Sequence, residues 1–382
     1  MVYFRSVGTL PVKAHTVLRI DGRFIHEELF STAGFSGSSC LVYRLNAPTR
    51  VVRVEGLKAE PVVACELDTV CNRMFKIDQM PMAGDFADGR TPLLFNDDFV
   101  YSIARVNSGM DDFFRNSYQD ELVFVAKGTG TVQTTFGTLS FQPLDIIYIP
   151  RGTTVQWRPD AGGEQVYAVV ESNSAIEPPI HFRAPSGQLL DAAPYHERDL
   201  RVPELPDPVD ESGEFTIRVK TGDVLSRYIV DRHPFDVIGW NGSFYPFAFN
   251  LKDFEPLSGR THVMPDQYQF LATKGASFCA LVPFRAEDHP DASPTQPHHN
   301  NVDFDEINFR VLSLDDRVTD SRIGNVAHQP RAFAHGPRPG FETAPGPMDN
   351  PLYALMIDAM NPLKLTAAAR DANYTDYLDE WC

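Results

Sequence analysis

Apolar and polar residues alternate over short runs along much of this chain. The six residues after Glu306, Ile-Asn-Phe-Arg-Val-Leu, alternate in this way, which is typical of a strand with one buried face. Other apolar runs, such as residues 146–149 and 278–282, are short and lie near proline or glycine. One helix is predicted, over residues 362–372. The pattern therefore predicts a mainly β protein.

Composition and length agree with this prediction. The chain has 382 residues, with 30 prolines, 25 glycines, 27 phenylalanines and 13 tyrosines, which favours many short strands and turns. A chain of this length exceeds one ordinary core, so two domains are expected. A stretch rich in proline, serine and acidic residues separates them. We expect an N-terminal domain over residues 1–172, a linker or wrapping segment over 173–215, and a C-terminal domain over 216–382.

Net charge and cysteine spacing indicate which classes of partner and which cellular compartment to expect. The net charge of −17, from 51 acids against 34 bases, disfavours nucleic acid and anionic membranes. No apolar run reaches the length of about 18 residues that a membrane helix needs, and the first residues lack a signal peptide's apolar core. The five cysteines are scattered without a CxxC pair, as expected of free thiols in a reducing cytosol. A cytoplasmic protein is predicted.

Four of the eleven histidines lie between residues 297 and 340, together with Asp305 and Glu306. Imidazole and carboxylate together suit iron, manganese, nickel or zinc. Two histidines and one carboxylate that leave positions open suit iron(II) that reacts with O2. His299 and Glu306 are seven residues apart, and His335 follows 29 residues later. The alternative is that surface loops simply carry these histidines.

A pattern is repeated within the chain. Asp120-Glu121-Leu-Val-Phe-Val and Asp305-Glu306-Ile-Asn-Phe-Arg-Val begin 185 residues apart, which suggests duplicated barrels. Residues 120–130 and 143–153 resemble the paired motifs of the cupin barrel. We therefore expect two cupin barrels, that is, double-stranded β-helices of jelly-roll type. The first should lack a metal, because the places where a metal-binding cupin has histidines hold Asn116, Ser117, Gln119, Thr154, Val155 and Gln156.

Six segments carry a resemblance to a known family, namely residues 3–8, 183–187, 233–240, 250–254, 301–306 (Asn-Val-Asp-Phe-Asp-Glu) and 335–337 (His-Gly-Pro). Through these segments nearly the whole chain resembles homogentisate 1,2-dioxygenase in its bacterial form. This resemblance implies a two-cupin fold, non-haem iron(II) and the oxidative opening of a hydroquinone ring. It also implies a homo-oligomer, as trimers or hexamers.

The same resemblance implies roles for individual residues. The family's metal ligands fall on His299, Glu306 and His335. His299 is favoured over His298 because it stands in register with the Asn301-Val-Asp match that follows. The acid–base histidine near the substrate phenol falls on His262. A further catalytic histidine falls on His328, which lies seven residues before His335 where the family spacing is six.

The chain departs from the family pattern after the glutamate. The family places tyrosines there toward the substrate's acetate, whereas this chain has Ile307-Asn-Phe-Arg310. Arg310 could bind a carboxylate instead, because its fork matches one, or it could face solvent. Asn301 is assigned to the site as a substrate-binding residue. Asn301 and Asp305 are also the candidates to hydrogen-bond a ligating histidine.

The expected function is an iron(II)-dependent, extradiol-type ring-cleaving dioxygenase of aromatic catabolism. Its partners would be O2 and a small aromatic substrate, either homogentisate or a related substituted hydroquinone. A histidine with a pKa near 6.5 suits removal of the phenolic proton. Two alternatives stay open. One is a metal cupin of another class, such as a sugar isomerase, and the other is a non-catalytic bicupin that binds a small aromatic ligand.

Overall fold

The computed structural model describes residues 3–255, 269–282, 298–313, 323–337, 339 and 352–381. His262 lies outside these residues. In the described parts of the chain strands dominate, as the alternating pattern predicts. The same parts contain no helix that is both long enough and apolar enough to cross a membrane.

The strands are numbered in chain order. Those of the first half are β1 (Arg5–Gly8), β2 (Arg19–Ile20), β3 (Arg23–Phe24), β4 (His26–Ser31), β5 (Ser39–Arg44), β6 (Val51–Leu57), β7 (Arg73–Phe75), β8 (Arg90–Phe95), β9 (Phe99–Val106), β10 (Phe113–Asn116), β11 (Asp120–Lys127), β12 (Gly130–Thr134), β13 (Gly137–Phe141), β14 (Asp145–Ile149), β15 (Thr154–Pro159) and β16 (Gln165–Ser172). Those of the second half are β17 (Ser212–Thr221), β18 (Val224–Arg232), β19 (Val237–Gly242), β20 (Phe247–Asn250), β21 (Gln269–Ala272), β22 (Ala276–Leu281), β23 (Asp305–Ser313), β24 (Val326–Gln329), β25 (Leu352–Ala359) and β26 (Lys364–Leu365).

Helical structure is sparse in the described residues. The helix predicted over 362–372 is shorter than expected and occupies Ala367–Asp371 (α1). Thr366 begins it, because its hydroxyl accepts a hydrogen bond from the backbone N–H of Ala369 at 3.2 Å. Residues 364–365 form β26 instead. The 3₁₀ segments are Ala33–Phe35, Ile77–Gln79, Ile180–Phe182, Glu197–Asp199, Leu251–Asp253 and Thr375–Trp381.

Two seven-stranded sheets form the first barrel. Their strand orders are β13-β12-β15-β10-β17-β18-β6 and β20-β14-β11-β16-β9-β8-β26. A dense aromatic cluster fills the space between them, and Trp157 stacks on Phe86 with ring centroids 4.0 Å apart. Phe141 and Tyr167 pack against the same indole ring. This packing leaves the interior of the first barrel occupied by side chains.

The second barrel is built on a six-stranded sheet with the order β21-β22-β25-β23-β24-β7. A separate four-stranded sheet has the order β1-β19-β5-β4. Alternation along β23 directs Ile307 and Phe309 to one face and Glu306 and Asn308 to the other. Phe309 meets Phe124 of β11, with ring centroids 6.1 Å apart. We call the face of β23 that carries Phe309 the outer face, and the face that carries Glu306 the inner face.

Strands pair across the predicted domain boundaries. β7, from the N-terminal region, closes one edge of the second barrel's sheet by pairing with β24. β26, from the C-terminal region, pairs with β8 at an edge of the first barrel. The division into residues 1–172, 173–215 and 216–382 stays a prediction. The two exchanged strands link the N-terminal and C-terminal regions by backbone hydrogen bonds.

Candidate metal centre

The site is built around Glu306, the second residue of β23. The outer face of this strand packs in the main core, so alternation leaves the Glu306 carboxylate on the inner face, where the residue is 8% exposed. Asn308 and Arg310 follow on the same face. One strand therefore lines the inner wall with a carboxylate, an amide and a guanidinium in succession.

Two histidines from separate loops meet Glu306. The backbones of His299 and His335 form a pair of hydrogen bonds, N–H to carbonyl in each direction, at 2.9 and 3.0 Å. Their ring centroids lie 4.3 Å apart. One ligand atom from each of His299, Glu306 and His335 lies within 4.8 Å of the others. The structure thus brings together the three residues that the sequence assigns as ligands.

Hydrogen bonds orient this group for a cation. The Nδ1–H of His335 donates to the carbonyl of Phe333 at 3.0 Å, which directs Nε2 to the Glu306 carboxylate at 3.4 Å. Burial alone would raise the pKa of Glu306, but His335, Asn301 and His299 hold that pKa below its ordinary value. An ionised, buried carboxylate with two imidazoles fits a divalent cation in charge and in donor type.

Gly336 lies close to His298, the neighbour of the candidate ligand His299. Gly336 has φ +154°, and a Cβ there would lie 2.9 Å from the Cα of His298. This close approach places the exposed His298 ring against the carbonyl of Pro337, with Nε2 to oxygen at 3.2 Å. The sequence choice of His299 agrees with this arrangement.

Two asparagines hold the Glu306 carboxylate from either side. The amide of Asn301 donates to one oxygen at 3.3 Å, and that of Asn308 donates to the other at 3.4 Å. The backbone carbonyl of Asn301 accepts a hydrogen bond from the backbone N–H of Ala332 at 2.7 Å, and Ala332 has φ +64°. Asn301 is 2% exposed, so its contact with Glu306 indicates a positioning role rather than the predicted contact with substrate.

The inner face also carries polar residues that sequence reasoning missed. Gln329 of β24 and Asp358 of β25 pair with Glu306 from opposite sides. The thiol of Cys279 donates to Asp358 at 3.5 Å. Burial, followed by the charge of Glu306, raises the pKa of Asp358 to about 7. Only the register of three strands brings these residues together, so no local sequence signal could have found them.

Unused hydrogen-bonding capacity remains on this wall. Within the described residues the buried Oδ1 of Asn308 and the buried Oε1 of Gln329 have no hydrogen-bond partner. Leaving such acceptors unpaired costs free energy, so they are suited to a polar ligand.

Comparison with known proteins places the chain in a family. The family model described as homogentisate 1,2-dioxygenase N-terminal matches residues 89–251. A Saccharolobus solfataricus protein described as a candidate dioxygenase is 30% identical over 385 residues, which cover 100% of this chain and 99% of that one. The chain belongs to the homogentisate 1,2-dioxygenase family. The homogentisate 1,2-dioxygenase of Rhizobium meliloti is 26% identical over 292 residues, and that alignment spans 71% of this chain and 63% of the enzyme.

Two solved structures share a partial likeness with this chain. A glyoxylate-induced protein of Pseudomonas aeruginosa gives a TM-score of 0.40 at 12% identity, covering 81% of this chain and 99% of that one. A cupin barrel protein of Leptotrichia buccalis gives 0.37 at 9% identity, covering 77% and 99%. The prediction of a mainly β chain with two cupin domains is confirmed.

Family spacing identifies the residue that replaces the predicted catalytic histidine. His328 pairs with Ile307, so its side chain lies on the outer face, away from the triad. The residue six positions before His335, the family spacing, is Gln329, which faces Glu306. The assignment of His328 to the metal site is therefore corrected, because one residue along a strand reverses the direction of the side chain. His262 lies outside the described residues, and its acid–base role stays a prediction.

The two barrels of this family member repeat one another closely. Asp120 Oδ1 accepts hydrogen bonds from the backbone N–H and Nε of Arg151 at 3.1 and 2.7 Å. Asp305 Oδ1 accepts the same pair from Arg331 at 3.1 and 2.8 Å. Each aspartate immediately precedes the glutamate of its barrel. The proposed sequence repeat therefore corresponds to a repeated aspartate–arginine clasp. Asp305 faces outward and does not contact a ligating histidine, contrary to its predicted role.

The repeat also shows what stands in place of the ligands in the first barrel. Phe114 pairs with Val155 as His299 pairs with His335. Sequence reasoning expected the first lost histidine nearer Glu121, but the strand pairing assigns that place to Phe114. A phenylalanine and a valine offer no metal-binding atom.

A guanidinium occupies the corner beside Glu121. Arg90 bonds both oxygens of Glu121, at 2.7 and 3.2 Å, and lies 3.1 Å from Glu171. Its charge also lies over the Phe114 ring, 5.0 Å from the centroid. In the first barrel, Arg90 therefore supplies the positive charge that the glutamate requires.

We expect purified wild-type protein, reconstituted anaerobically with iron(II), to retain about one iron per chain, the number that one three-ligand site holds. Glu306→Ala and His299→Ala should lose that iron, whereas His298→Ala should keep most of it. Elemental analysis after desalting measures the ratio. Iron retained by His335→Ala, or two metals per chain, would contradict the assignment.

We expect Arg90→Met to lower the free energy of unfolding by about 3–5 kcal/mol, because it leaves the buried Glu121 without its cation, whereas Glu171 keeps Lys220 at 2.6 Å. Urea denaturation monitored by fluorescence measures this change. Adding Glu121→Gln should recover part of the loss. Arg50→Met, which breaks an exposed pair with Asp231, should change stability far less, since solvent screens that pair. Equal losses in both variants would count against the buried network.

Proposed function

We propose that this chain is an iron(II)-dependent ring-cleaving dioxygenase that acts on homogentisate or a related substituted hydroquinone. The observation that carries the proposal is the triad of His299, Glu306 and His335 on a wall that continues through Asn308 to Arg310. Family membership supports the dioxygenase class.

The protein's own residues fix the ligand geometry. Asn301 and Asn308 hold the two oxygens of Glu306, and the Phe333 carbonyl fixes the orientation of the His335 ring. When bound, iron(II) supplies the one-electron chemistry that lets O2 react with an aromatic ring. The outer face packs in the core, so Glu306 stands on a rigid strand, and the pair of backbone hydrogen bonds between His299 and His335 holds the two loops together.

The inner wall provides separate contacts for hydroxyl and carboxylate groups. Ring hydroxyls would donate to the unpaired amide oxygens of Asn308 and Gln329. Arg310 lies four residues beyond Glu306 on the same face, about 13 Å along the strand at ~3.3 Å per residue. A hydroquinone whose carboxylated substituent points away from the metal would span this wall and meet the Arg310 guanidinium.

Proton transfer requires a further residue. A phenol that enters such a site loses a proton, and an amide such as Gln329 cannot take it. His262 is the residue to which the family pattern assigns that step, and we retain it as the proposed base.

The deciding experiment is oxygen uptake by the anaerobically reconstituted enzyme, measured with a panel of substituted hydroquinones. We expect iron-dependent uptake with para-dihydroxylated aromatic acids, together with an absorbance change as the ring opens. Glu306→Ala is the matched control and should abolish uptake. Isomerisation of sugars without O2 consumption would favour another class of metal cupin. Saturable aromatic binding without turnover in the iron-loaded protein would favour a ligand-binding bicupin.

Arg310→Leu should lower kcat/KM for a carboxylated hydroquinone by at least about tenfold, because a charged hydrogen bond is lost. A neutral analogue, such as methylhydroquinone, should be affected much less. Arg310→Lys should restore part of the loss, since it keeps the charge but not the fork. Steady-state oxygen electrode kinetics measure all three. An equal loss for both substrates would remove Arg310 from carboxylate recognition.

A further inference from the structure

A separate cavity lies behind the metal strand, on its outer face. Its volume is about 170 Å³, and its polar lining includes Asp305, His328 and Arg331 of the second barrel and Arg73 of β7. Most of the remaining lining is apolar, with Leu363 and the prolines at 330 and 362 among it. Because Glu306 faces the opposite way, this cavity is distinct from the candidate metal centre.

The cavity carries one positive charge, that of Arg73, which no carboxylate in the described part of the chain neutralises. Arg331 is matched by Asp305, through the hydrogen bonds of the clasp. Arg73 donates only to neutral acceptors, which are the Thr69 carbonyl at 2.8 Å and the Cys71 sulfur at 3.0 Å, with weaker bonds to the same two residues. In the described part of the chain no carboxylate lies within ion-pair distance of Arg73. The cavity is therefore suited to a single negative charge.

His328 adds unused hydrogen-bonding capacity at the same place. It is 4% exposed, and neither ring nitrogen has a hydrogen-bond partner among the described residues. Its Nε2 lies 3.8 Å from the nearer Asp305 oxygen. A buried imidazole whose ring nitrogens form no hydrogen bond is costly unless something binds to it. His328 pairs with Arg73 across β24 and β7, so both side chains lie on the cavity side.

The first barrel provides an internal comparison for this arrangement. There the position of His328 is taken by Tyr148, whose hydroxyl donates to Asp120 at 3.0 Å. The position of Arg73 is taken by Phe247, whose ring centroid lies 5.0 Å from that of Tyr148. The first barrel thus closes the equivalent space with a satisfied aromatic pair. The second barrel leaves it open and lines it with a cation and an imidazole.

We propose that this cavity binds a small aromatic monocarboxylate. The carboxylate lies between Arg73 and His328, and the ring packs on the apolar lining. The size is suitable, because a cavity of about 150 Å³ lined by apolar side chains can hold benzene. The apolar lining favours a ring-bearing carboxylate over a bare inorganic anion.

Isothermal titration calorimetry of the metal-free Glu306→Ala chain with phenylacetate tests the proposal without iron or turnover. Its outcome is therefore independent of the proposed function. We expect saturable binding at one site per chain. Arg73→Met and His328→Phe, each added to that background, should weaken binding at least about tenfold, because each removes a hydrogen bond to a charged group. The matched control, Arg50→Met, removes an exposed arginine that does not line the cavity and should bind as before.

A further variant tests the cavity in case Arg73→Met or His328→Phe fails to fold. Val70 lines the cavity and is 65% exposed, so Val70→Trp should block the cavity while thermal unfolding stays unchanged. Benzyl alcohol, which lacks the charge, should bind at least about tenfold more weakly than phenylacetate.

Three results would overturn the proposal. The first is the absence of saturable phenylacetate binding. The second is loss of binding in Arg310→Leu while Arg73→Met and Val70→Trp bind normally, which would locate the ligand on the inner face. The third is binding of inorganic phosphate as tight as that of phenylacetate, which would exclude a role for the ring.

Discussion

A buried carboxylate needs a positive charge close to it, and both barrels are arranged around this requirement. In the first barrel Arg90 meets the need permanently, through two hydrogen bonds to Glu121 and contact with the Phe114 ring. In the second barrel, His299 and His335 stand where the first has apolar side chains. Imidazoles can share Glu306 with a metal, so equivalent glutamates form a buried ion pair in one barrel and a candidate metal site in the other.

The alternation of side chains along β23 determines where each kind of chemistry lies. Glu306, Asn308 and Arg310 face inward, whereas Ile307 and Phe309 pack in the core. The Asp305–Arg331 clasp fixes the start of the strand, as Asp120 and its arginine do in the first barrel. A slip of one residue would exchange the two sets, bringing apolar side chains to the metal and a carboxylate into the core. The register is therefore strongly specified, and this fixes the position of Glu306, the candidate metal ligand on β23.

Local sequence signals were sufficient to predict the three residues that the structure brings together, but they were insufficient for the surroundings of these residues. Glu306 stands at the start of an alternating run, and His335 precedes a Gly-Pro turn, so both could be assigned from neighbouring residues. His328 was assigned by the family resemblance, although it lies one residue away from the family spacing, and in a strand a difference of one residue reverses the face.

Contacts between distant strands could not be read from neighbouring residues. Arg90 lies 31 residues before Glu121, and Gln329 and Asp358 reach Glu306 only through strand pairing. The exchange of β7 and β26 between the barrels could not be predicted either, because both strands are too short for their sequences to indicate which strands they pair with.

The placement of Gln329 changes what the inner wall can do. At the position where the family spacing puts a histidine, a glutamine keeps the capacity to form hydrogen bonds but cannot carry a proton at neutral pH. The tyrosines that the family offers after the glutamate are also missing, so in the proposed function amide oxygens would make the contact with hydroxyl groups. On the described part of this wall Arg310 is the cation, so the proposal puts a substrate carboxylate at the far end of the strand and not beside Glu306. The proposal thus assigns hydroxyl recognition, charge recognition and proton transfer to different residues, and it leaves the outer cavity with His328 for a separate ligand.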